Sequence, residues 1–282
     1  MPGTHGGVSS ANVNLPNLGL VTLTPAGVKV SASFAQLTGG ANVVHPVAPG
    51  VSVFGSLAGD YKMHDHRQEF DQNNWGVAGG VSYLQEQNLF RGTLSFNTLN
   101  VDYRRFRNVT GFTGEWIRQI DELQAVSALV QYAELDYAGD NRVRDARLYG
   151  LGVGYRRAFL GPWRPLATVS ASYTEEDNRR GRDDLAREIY GFRAAVAVTP
   201  APRWSASAGA TYQVSDYKTP DVLLAPFPRR DKYYALDATG SYAVTRNLSI
   251  RGELLLSKNE SNIALYEYKR EVASIKVRYE FK

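Results

Sequence analysis

Apolar and polar residues alternate at every second position along much of this chain. Between Trp204 and Ser215, the even positions are apolar with aromatic rings at Trp204 and Tyr212, and the odd positions are Ser, Gly, Thr or Gln. Because successive side chains of a strand point to opposite faces, this segment is predicted to be a strand between an apolar and a polar environment. The same alternation recurs at 74–83, 167–174, 190–199, 234–242 and 248–257.

The alternation predicts thirteen strands, near 27–36, 51–62, 74–86, 89–104, 109–119, 123–137, 145–158, 164–175, 187–199, 203–216, 231–244, 247–258 and 271–281. A fourteenth strand is predicted within 12–24, because bacterial single-chain membrane barrels have even strand numbers. The segment Gly39–Gly50 is interpreted as irregular.

The predicted fold is all-β: a transmembrane antiparallel up-and-down β-barrel of about fourteen strands, with twelve as the alternative. The predicted connections alternate between short and long, with long ones near 63–73, 138–144, 176–186, 217–230 and 259–270. If the C-terminus is periplasmic, every long connection is external, as is usual in such barrels. The competing interpretation, a soluble β-sandwich or propeller, would carry long charged side chains on its polar face.

The chain is predicted to comprise an N-terminal segment, 1–17, and a barrel, 18–282. The segment 1–17 is interpreted either as a linker or as a stretch that enters the lumen. Its start, MPGTHGG, has neither a charged region nor an apolar run of the signal-peptide kind. We therefore expect the chain to be a mature or truncated form of a longer product.

Composition and charge further restrict which classes of protein are compatible with this sequence. Mean hydropathy is −0.32, and no apolar run approaches the ~18 residues of a spanning helix. Barrel strands keep average hydropathy low because only alternate residues face lipid. The net charge of +4 is spread along the chain, which argues against a nucleic-acid partner. The absence of Cys excludes disulfides and thiolate metal sites.

The C-terminal strand alternates Ala273, Ile275, Val277, Tyr279 and Phe281 with polar residues. This end resembles the C-terminal signal that the barrel-assembly machinery recognises in outer-membrane proteins. The resemblance implies that Tyr279 and Phe281 form the assembly signal and that this machinery is a partner, together with outer-membrane lipid.

A longer resemblance covers roughly 229–281. The segment Ser261–Arg270, SNIALYEYKR, and the triplet Arg229-Arg230-Asp231 resemble the last hairpins of the barrel domain of the surface lipoprotein assembly modifier family and related barrels linked to tetratricopeptide repeats. In that family the barrel follows a periplasmic helical repeat domain, and better-known members help lipoproteins reach the cell surface. The resemblance implies an outer-membrane barrel with a lipoprotein or another polymer as cargo.

Charged residues at polar positions of the strands are candidates for the lumen wall. They are Lys29, Arg91, Arg156, Arg193, Asp237, Arg251, Glu253, Lys276, Arg278 and Glu280. A ring of basic groups would favour anions in a pore. The alternative, which we favour, is an ion-pair network that braces the wall, with Arg251 and Glu253 on one strand and Lys276, Arg278 and Glu280 on its neighbour.

Candidate catalytic chemistry is sparse. His64-Asp65-His66 has a spacing that can bind a metal, but a solvated external loop is the favoured interpretation. We therefore predict no catalyst, no metal and no cofactor. Three functions stay open for a protein of the bacterial outer membrane: a translocation or secretion barrel, a passive channel for small solutes, and a barrel enzyme acting on lipid or peptide.

Overall fold

A computed structural model describes residues 11–22, 31–65 and 68–281 of the chain. Its strands form a small two-stranded sheet, β1 with β2, and a large antiparallel sheet of thirteen strands, β3 to β15. Within the described residues, the helical segments between the long strands are short 3-10 turns. Within the described ranges, no helix is long and apolar enough to cross a membrane. The prediction of an all-β antiparallel fold is confirmed.

The strands are β1 Asn12–Leu15, β2 Gly19–Thr22, β3 Phe34–Ala48, β4 Val51–His64, β5 Gln72–Gln85, β6 Asn88–Val101, β7 Arg104–Gln119, β8 Gln124–Tyr137, β9 Ala146–Ala158, β10 Leu166–Asn178, β11 Arg187–Ala201, β12 Trp204–Tyr217, β13 Arg230–Ala243, β14 Leu248–Ser261 and β15 Tyr268–Tyr279. In the large sheet each strand pairs with its neighbours in the chain, an up-and-down meander.

The longer connections lie at one end of this sheet. Connections 65–71, 138–145, 179–186, 218–229 and 262–267 all lie at the end that we call the long-loop end. The exception there is a two-residue turn, Asp102-Tyr103, at residues predicted to lie inside the strand near 89–104. Both residues have positive φ, 50° and 57°, as in the type I′ turns that match the twist of a hairpin.

The two faces of the sheet differ sharply. One row of side chains, which we call the outer face, is apolar and exposed, with Leu94 67%, Leu151 58% and Leu236 58% exposed. The opposite row, the inner face, contains the polar partners of the alternation and buried residues such as Ala125, Ser215 and Asn259. Contact between so many apolar side chains and water is unfavourable. The outer face is therefore suited to an apolar environment rather than to water.

Aromatic pairs form two belts on the outer face. Near the long-loop end, Trp75–Phe96, Tyr132–Tyr149, Tyr173–Tyr190 and Tyr212–Tyr234 pair with ring centroids 5.2–5.7 Å apart. At the opposite end lie Tyr83–Phe90, Trp204–Tyr242 and Tyr279–Phe281. On β5, β12 and β13 the two belts are eight residues apart in sequence, which is about 26 Å along a strand and close to the height of a membrane barrel's apolar band.

The predicted strand boundaries mostly agree with the structure, but the N-terminal part differs. The segment Gly39–Gly50 is not irregular, because β3 runs from Phe34 through Ala48, well beyond the predicted strand at 27–36. Pro46 lies in this strand at a register shift. A proline is tolerated there because the ladder is already interrupted at the register shift, close to the end of the strand.

The predicted fourteenth strand, 12–24, is not part of the large sheet. Residues 12–22 instead fold back on themselves, with Val13 opposite Val21 and Leu15 opposite Gly19. This N-terminal hairpin lies at the long-loop end, where the main chain of Asn17 donates to the carbonyl of Leu224. Thirteen strands are therefore described in the sheet, while residues 23–30 lie outside the described ranges.

The two edges of the sheet, β3 and β15, both run away from the long-loop end, so they are parallel to each other. No strand pairing joins them in the described part of the chain. Lys62 on β4 nevertheless lies within electrostatic range of Arg270 and Lys276 on β15, at the opposite edge. The edges therefore approach each other around a concave inner face.

A glycine on β5 tests the packing of this inner face. A Cβ on Gly80 would lie 2.1 Å from the carbonyl oxygen of Gly92 and 2.7 Å from the ring of Phe54. We expect Gly80→Ala to lower the free energy of unfolding by about 1–3 kcal/mol, as overpacking does. Denaturant unfolding in detergent micelles measures this.

The control is the neighbouring Gly79→Ala, because a Cβ on Gly79 meets nothing closer than 3.6 Å. Equal losses from the two substitutions would mean that the close approach at Gly80 does not constrain the wall.

Candidate functional site

The candidate site is the long-loop end of the inner face, which we call the mouth. The N-terminal hairpin lies here against two connections, 218–229 and 262–267, which we call the mouth loops. Besides its main-chain bond, Asn17 donates from its side-chain amide to the carbonyl of Val222 at 2.7 Å. The hairpin is thus fixed to a loop more than two hundred residues away in sequence.

A small apolar cluster joins the hairpin to both loops. Val13 and Leu15 of the hairpin are 5% and 3% exposed, and they pack with Ala225 and Ile263 of the mouth loops, which are 0% and 1% exposed. Elsewhere in the described sheet the large apolar residues are mostly exposed or half-buried. The mouth therefore contains a hydrophobic core of the water-soluble kind, at the place where a channel would open.

Arg229 connects this core to the wall. Its Nε donates to both carboxylate oxygens of Asp231, at 3.0 and 2.9 Å, and Asp231 is only 5% exposed on the inner face. The guanidinium also lies over the rings of Tyr217 and Tyr266, at 4.5 and 3.3 Å from their centroids. Burial raises the pKa of Tyr266, partly offset by the charge of Arg229.

A second arginine, on β11, contacts Tyr217 as Arg229 does. Arg187 donates to Glu176 at 2.8 Å and to the hydroxyl of Tyr217 at 3.1 Å. Asn259, buried on the inner face of β14, donates from its amide to the carbonyl of Tyr266 at 2.8 Å. These contacts hold the loop 262–267 folded inward over the inner face, below the hairpin.

Main-chain hydrogen bonds join neighbouring loops around the rim of the mouth. Arg179 donates to Asp145, Lys218 to Ala186, and Asn262 to Arg230, each at 2.7–3.2 Å. On the outer side of the rim, Lys218 pairs with Glu175 and Asp177, both at 2.6 Å, and these two carboxylates raise the pKa of its ammonium group. The rim is thus cross-linked rather than a set of independent loops.

Deeper in the wall, the predicted charged residues that fall within the described ranges lie on the inner-face row. Arg193 on β11 reaches across β12 to Asp237 on β13, with two contacts of 2.7 and 3.0 Å, and also donates to Thr211. It passes over Gly209, where a Cβ would lie 2.5 Å from its guanidinium. The lack of a side chain at Gly209 therefore permits this pair.

The last two strands form a second group. Glu253 on β14 is 2.8 Å from Arg251 on the same strand and 2.7 Å from Lys276 on β15. Arg278 pairs with Glu280 at 2.9 Å. Most of these charges are therefore compensated by a neighbour, which is the arrangement of a braced wall rather than of a single-sign ring.

The remaining predicted residues are more separate. Arg91 lies 3.6 Å from Glu115, and Arg156 donates to the neutral amide oxygen of Gln119 at 3.3 Å. Lys29 lies outside the described residues. Of the predicted assembly residues, Tyr279 ends β15 and its ring meets that of Phe281 edge-to-face, with centroids 4.8 Å apart, and their role in assembly stays a prediction.

The interpretation of His64 as part of a solvated loop is wrong. His64 ends β4, is 5% exposed, and its main-chain N–H donates to Asp71 at 2.7 Å. Its imidazole Nδ1 is 3.5 Å from the same carboxylate, so Asp71 caps the strand end. His66 lies outside the described residues. In the part of the chain that the structure describes, no group of three or more His, Asp or Glu residues is placed to bind a metal.

Sequence reasoning missed most of the mouth. Alternation gives no signal for residues that act from loops, such as Arg229, Tyr266 and Ile263. The apolar residues Val13, Leu15 and Val21 could have indicated a buried hairpin, since they are separated by the turn-favouring pair Pro16-Asn17.

No protein-family model and no curated protein sequence matches this chain. Solved structures similar to it include the siderophore receptor PirA from Pseudomonas aeruginosa (10% identity, TM-score 0.44, covering 86% of this chain and 57% of that one). A bacterial polysaccharide outer membrane secretin has 9% identity, TM-score 0.43, and coverage of 88% and 91%. OmpT of Vibrio cholerae has 10% identity, TM-score 0.43, and coverage of 88% and 96%.

The chain thus spans little more than half the length of PirA. With TM-scores below 0.5, these similarities assign neither a strand count nor an activity. The chain's own surface is decisive for its location. A β-sheet with an exposed apolar band between two aromatic belts belongs in the bacterial outer membrane.

Arg229 and its neighbour Arg230 allow a matched test of the mouth. Arg229→Met leaves Asp231 as a buried carboxylate without its partner, which typically costs about 3–5 kcal/mol. We expect the mouth loops to open and to be cut faster by chymotrypsin, which does not depend on the arginine that is removed. The rate of cleavage of the folded protein in detergent measures this.

Arg230→Met is the control, because Arg230 pairs with Asp216 on the outer face and its side chain is 58% exposed. If both variants were cleaved at the wild-type rate, the Arg229 cluster would not be holding the mouth loops.

Proposed function

We propose that the large sheet closes into a β-barrel in the outer membrane and serves as a translocation or secretion barrel that carries a lipoprotein or another polymer to the cell surface. Closure is supported by the approach of Lys62 to Arg270 and Lys276 across the two edges. It is also supported by the cost of unpaired backbone groups in hydrocarbon, which is several kcal/mol for each group. The cargo class rests on the resemblance of residues 229–281 to the surface lipoprotein assembly modifier barrels.

The observation that carries the proposal is the hairpin fixed at the mouth. It packs through Leu15 onto Ile263 and is held by Asn17 onto Val222, and we propose that it blocks the end of the lumen at rest. A pore that is always open to small solutes does not require a segment that closes its mouth. A translocation barrel does, because it must stay sealed until an extended chain arrives.

The wall fits a passing polymer as well. Paired charges such as Arg193–Asp237 leave little net charge at any one level of the lumen, so an extended chain of either sign meets no strong barrier. Small residues such as Ser172, Ser207 and Gly209 lie along the inner face between these pairs. We propose no catalytic role for the barrel.

A passive channel is the second candidate, and Arg156 is the residue that favours it. Its guanidinium contacts only the neutral Gln119 among the polar interactions of the described residues, so it would attract anions to the lumen. In that case the hairpin would be a gate for small solutes rather than a seal for a polymer.

The N-terminal hairpin provides the sharpest functional test. Leu15→Asp places a carboxylate in a site that is 3% exposed, and an unpaired buried charge is strongly unfavourable. We expect this variant to release the hairpin and to increase single-channel conductance in planar bilayers severalfold over a nearly silent wild type. Leu20→Asp, at a position that is 71% exposed in the same hairpin, should stay silent.

A wild-type protein that conducts as freely as Leu15→Asp would contradict the sealed mouth and favour the passive channel. The polymer cargo is tested separately, by deleting the gene in the producing bacterium and measuring which lipoproteins lose accessibility to external protease. We expect at least one to be retained inside. An unchanged surface-lipoprotein profile would contradict the assignment of lipoprotein cargo.

A further inference from the structure

An apolar groove lies on the outer face of the sheet, beside the tyrosine belt at the long-loop end. Its volume is about 520 Å³, and it crosses strands β11 to β15. Ala210 lies at its floor, because its methyl group is smaller than the side chains of Leu236, opposite it on β13, and of Phe192, which is diagonal to it on β11. Tyr212 and Tyr234, with rings 5.2 Å apart, border it on the side of the long-loop end.

Two lysines line the groove on the side of β14 and β15. Lys258 on β14 and Lys269 on β15 are direct cross-strand partners. Like charges directly opposite each other destabilise an antiparallel pair. Lys258 is compensated by Glu260 at 2.5 Å, whereas Lys269 has no ion pair in the described part of the chain. Glu271, the residue opposite Leu256, also lines the groove.

The position of the groove restricts what can fill it. Its floor lies in the apolar band, and its basic end lies level with the tyrosines that mark the membrane interface. A water-soluble ligand would have to enter hydrocarbon to reach Ala210. An amphiphile already in the leaflet needs no such transfer, and an anionic head group is complementary to the opposed lysines.

We propose that this groove is a binding site for a phosphate-bearing anionic lipid of the leaflet at the long-loop end. An acyl chain lies over Ala210 between Phe192 and Leu236. The lipid phosphate lies between the ammonium groups of Lys258 and Lys269 and supplies an anionic partner for Lys269. This inference depends on the membrane location of the sheet but not on the translocation proposal.

The test is native mass spectrometry of the folded protein, released from non-ionic detergent, with phosphatidylglycerol or phosphatidylcholine as the probe. We expect wild type to retain one phosphatidylglycerol molecule more tightly than phosphatidylcholine. The double variant Lys258→Gln/Lys269→Gln should lose about tenfold in affinity for phosphatidylglycerol, since two charge-assisted contacts are removed.

Arg147→Gln is the matched control. Arg147 is a basic residue of the outer face at the same end of the sheet, on β9, away from the groove, and its side chain is 50% exposed. It should bind phosphatidylglycerol like wild type. An equal loss in Arg147→Gln, or equal affinity of wild type for both lipids, would overturn the site and indicate non-specific lipid around the barrel.

A second variant tests the acyl-chain part independently of charge. Ala210→Leu fills the floor of the groove while keeping an apolar surface for lipid, so folding is expected to be unchanged and is checked by the heat-induced gel shift. We expect the tightly held phosphatidylglycerol to be lost. Retention at wild-type affinity would show that the lipid does not lie in this groove.

Discussion

The structure depends on one constraint: every backbone N–H and C=O group in the membrane must be hydrogen-bonded, because hydrocarbon offers no alternative partner. An antiparallel meander meets this demand with the shortest connections, since each strand pairs with the strands before and after it. The same constraint makes the two edges, β3 and β15, the critical positions. In the barrel that we propose, these two edges meet and close the sheet into a wall between two compartments.

The two faces of the sheet differ in chemical character. The outer face exposes Leu, Val and aromatic residues that would be unstable in water, and its belts set the level of the membrane interface. The inner face is polar, and its charges are mostly paired, as Glu253 is with Arg251 and Lys276. In the described residues, buried apolar side chains form only small clusters, one around Leu15 and Ile263 at the mouth and one around Leu135 and Ala146 between β8 and β9.

Much of the sheet could be predicted because alternation at period two is repeated in strand after strand. The prediction failed where residues that usually break strands are tolerated for local reasons: Gly39 and Gly40 pair with Gly59 and Ala58 inside β3, and Pro46 lies at a register shift two residues from the end of that strand. It also failed at 12–24, because two four-residue strands are too short for alternation to separate a hairpin from one long strand.

The mouth was beyond sequence reasoning for a different physical reason. Arg229 and Asp231 are neighbours in sequence, but Tyr266 joins them only because the loop 262–267 folds inward, and no local pattern encodes a contact between these two loops. The same holds for the reach of Arg193 to Asp237, which requires the missing side chain of Gly209. The residue types at polar strand positions identify which charged side chains are candidates to face the lumen, but they do not identify the side chains with which these form ion pairs.

The central claim is that the exposed apolar band of this sheet is solvated by lipid. The most direct measurement is the state of the purified chain after transfer from detergent micelles into plain aqueous buffer, by light scattering and circular dichroism. The account predicts aggregation or loss of the folded state. A chain that stays folded and monodisperse in water, with the outer-face leucines and tyrosines still exposed, would contradict it.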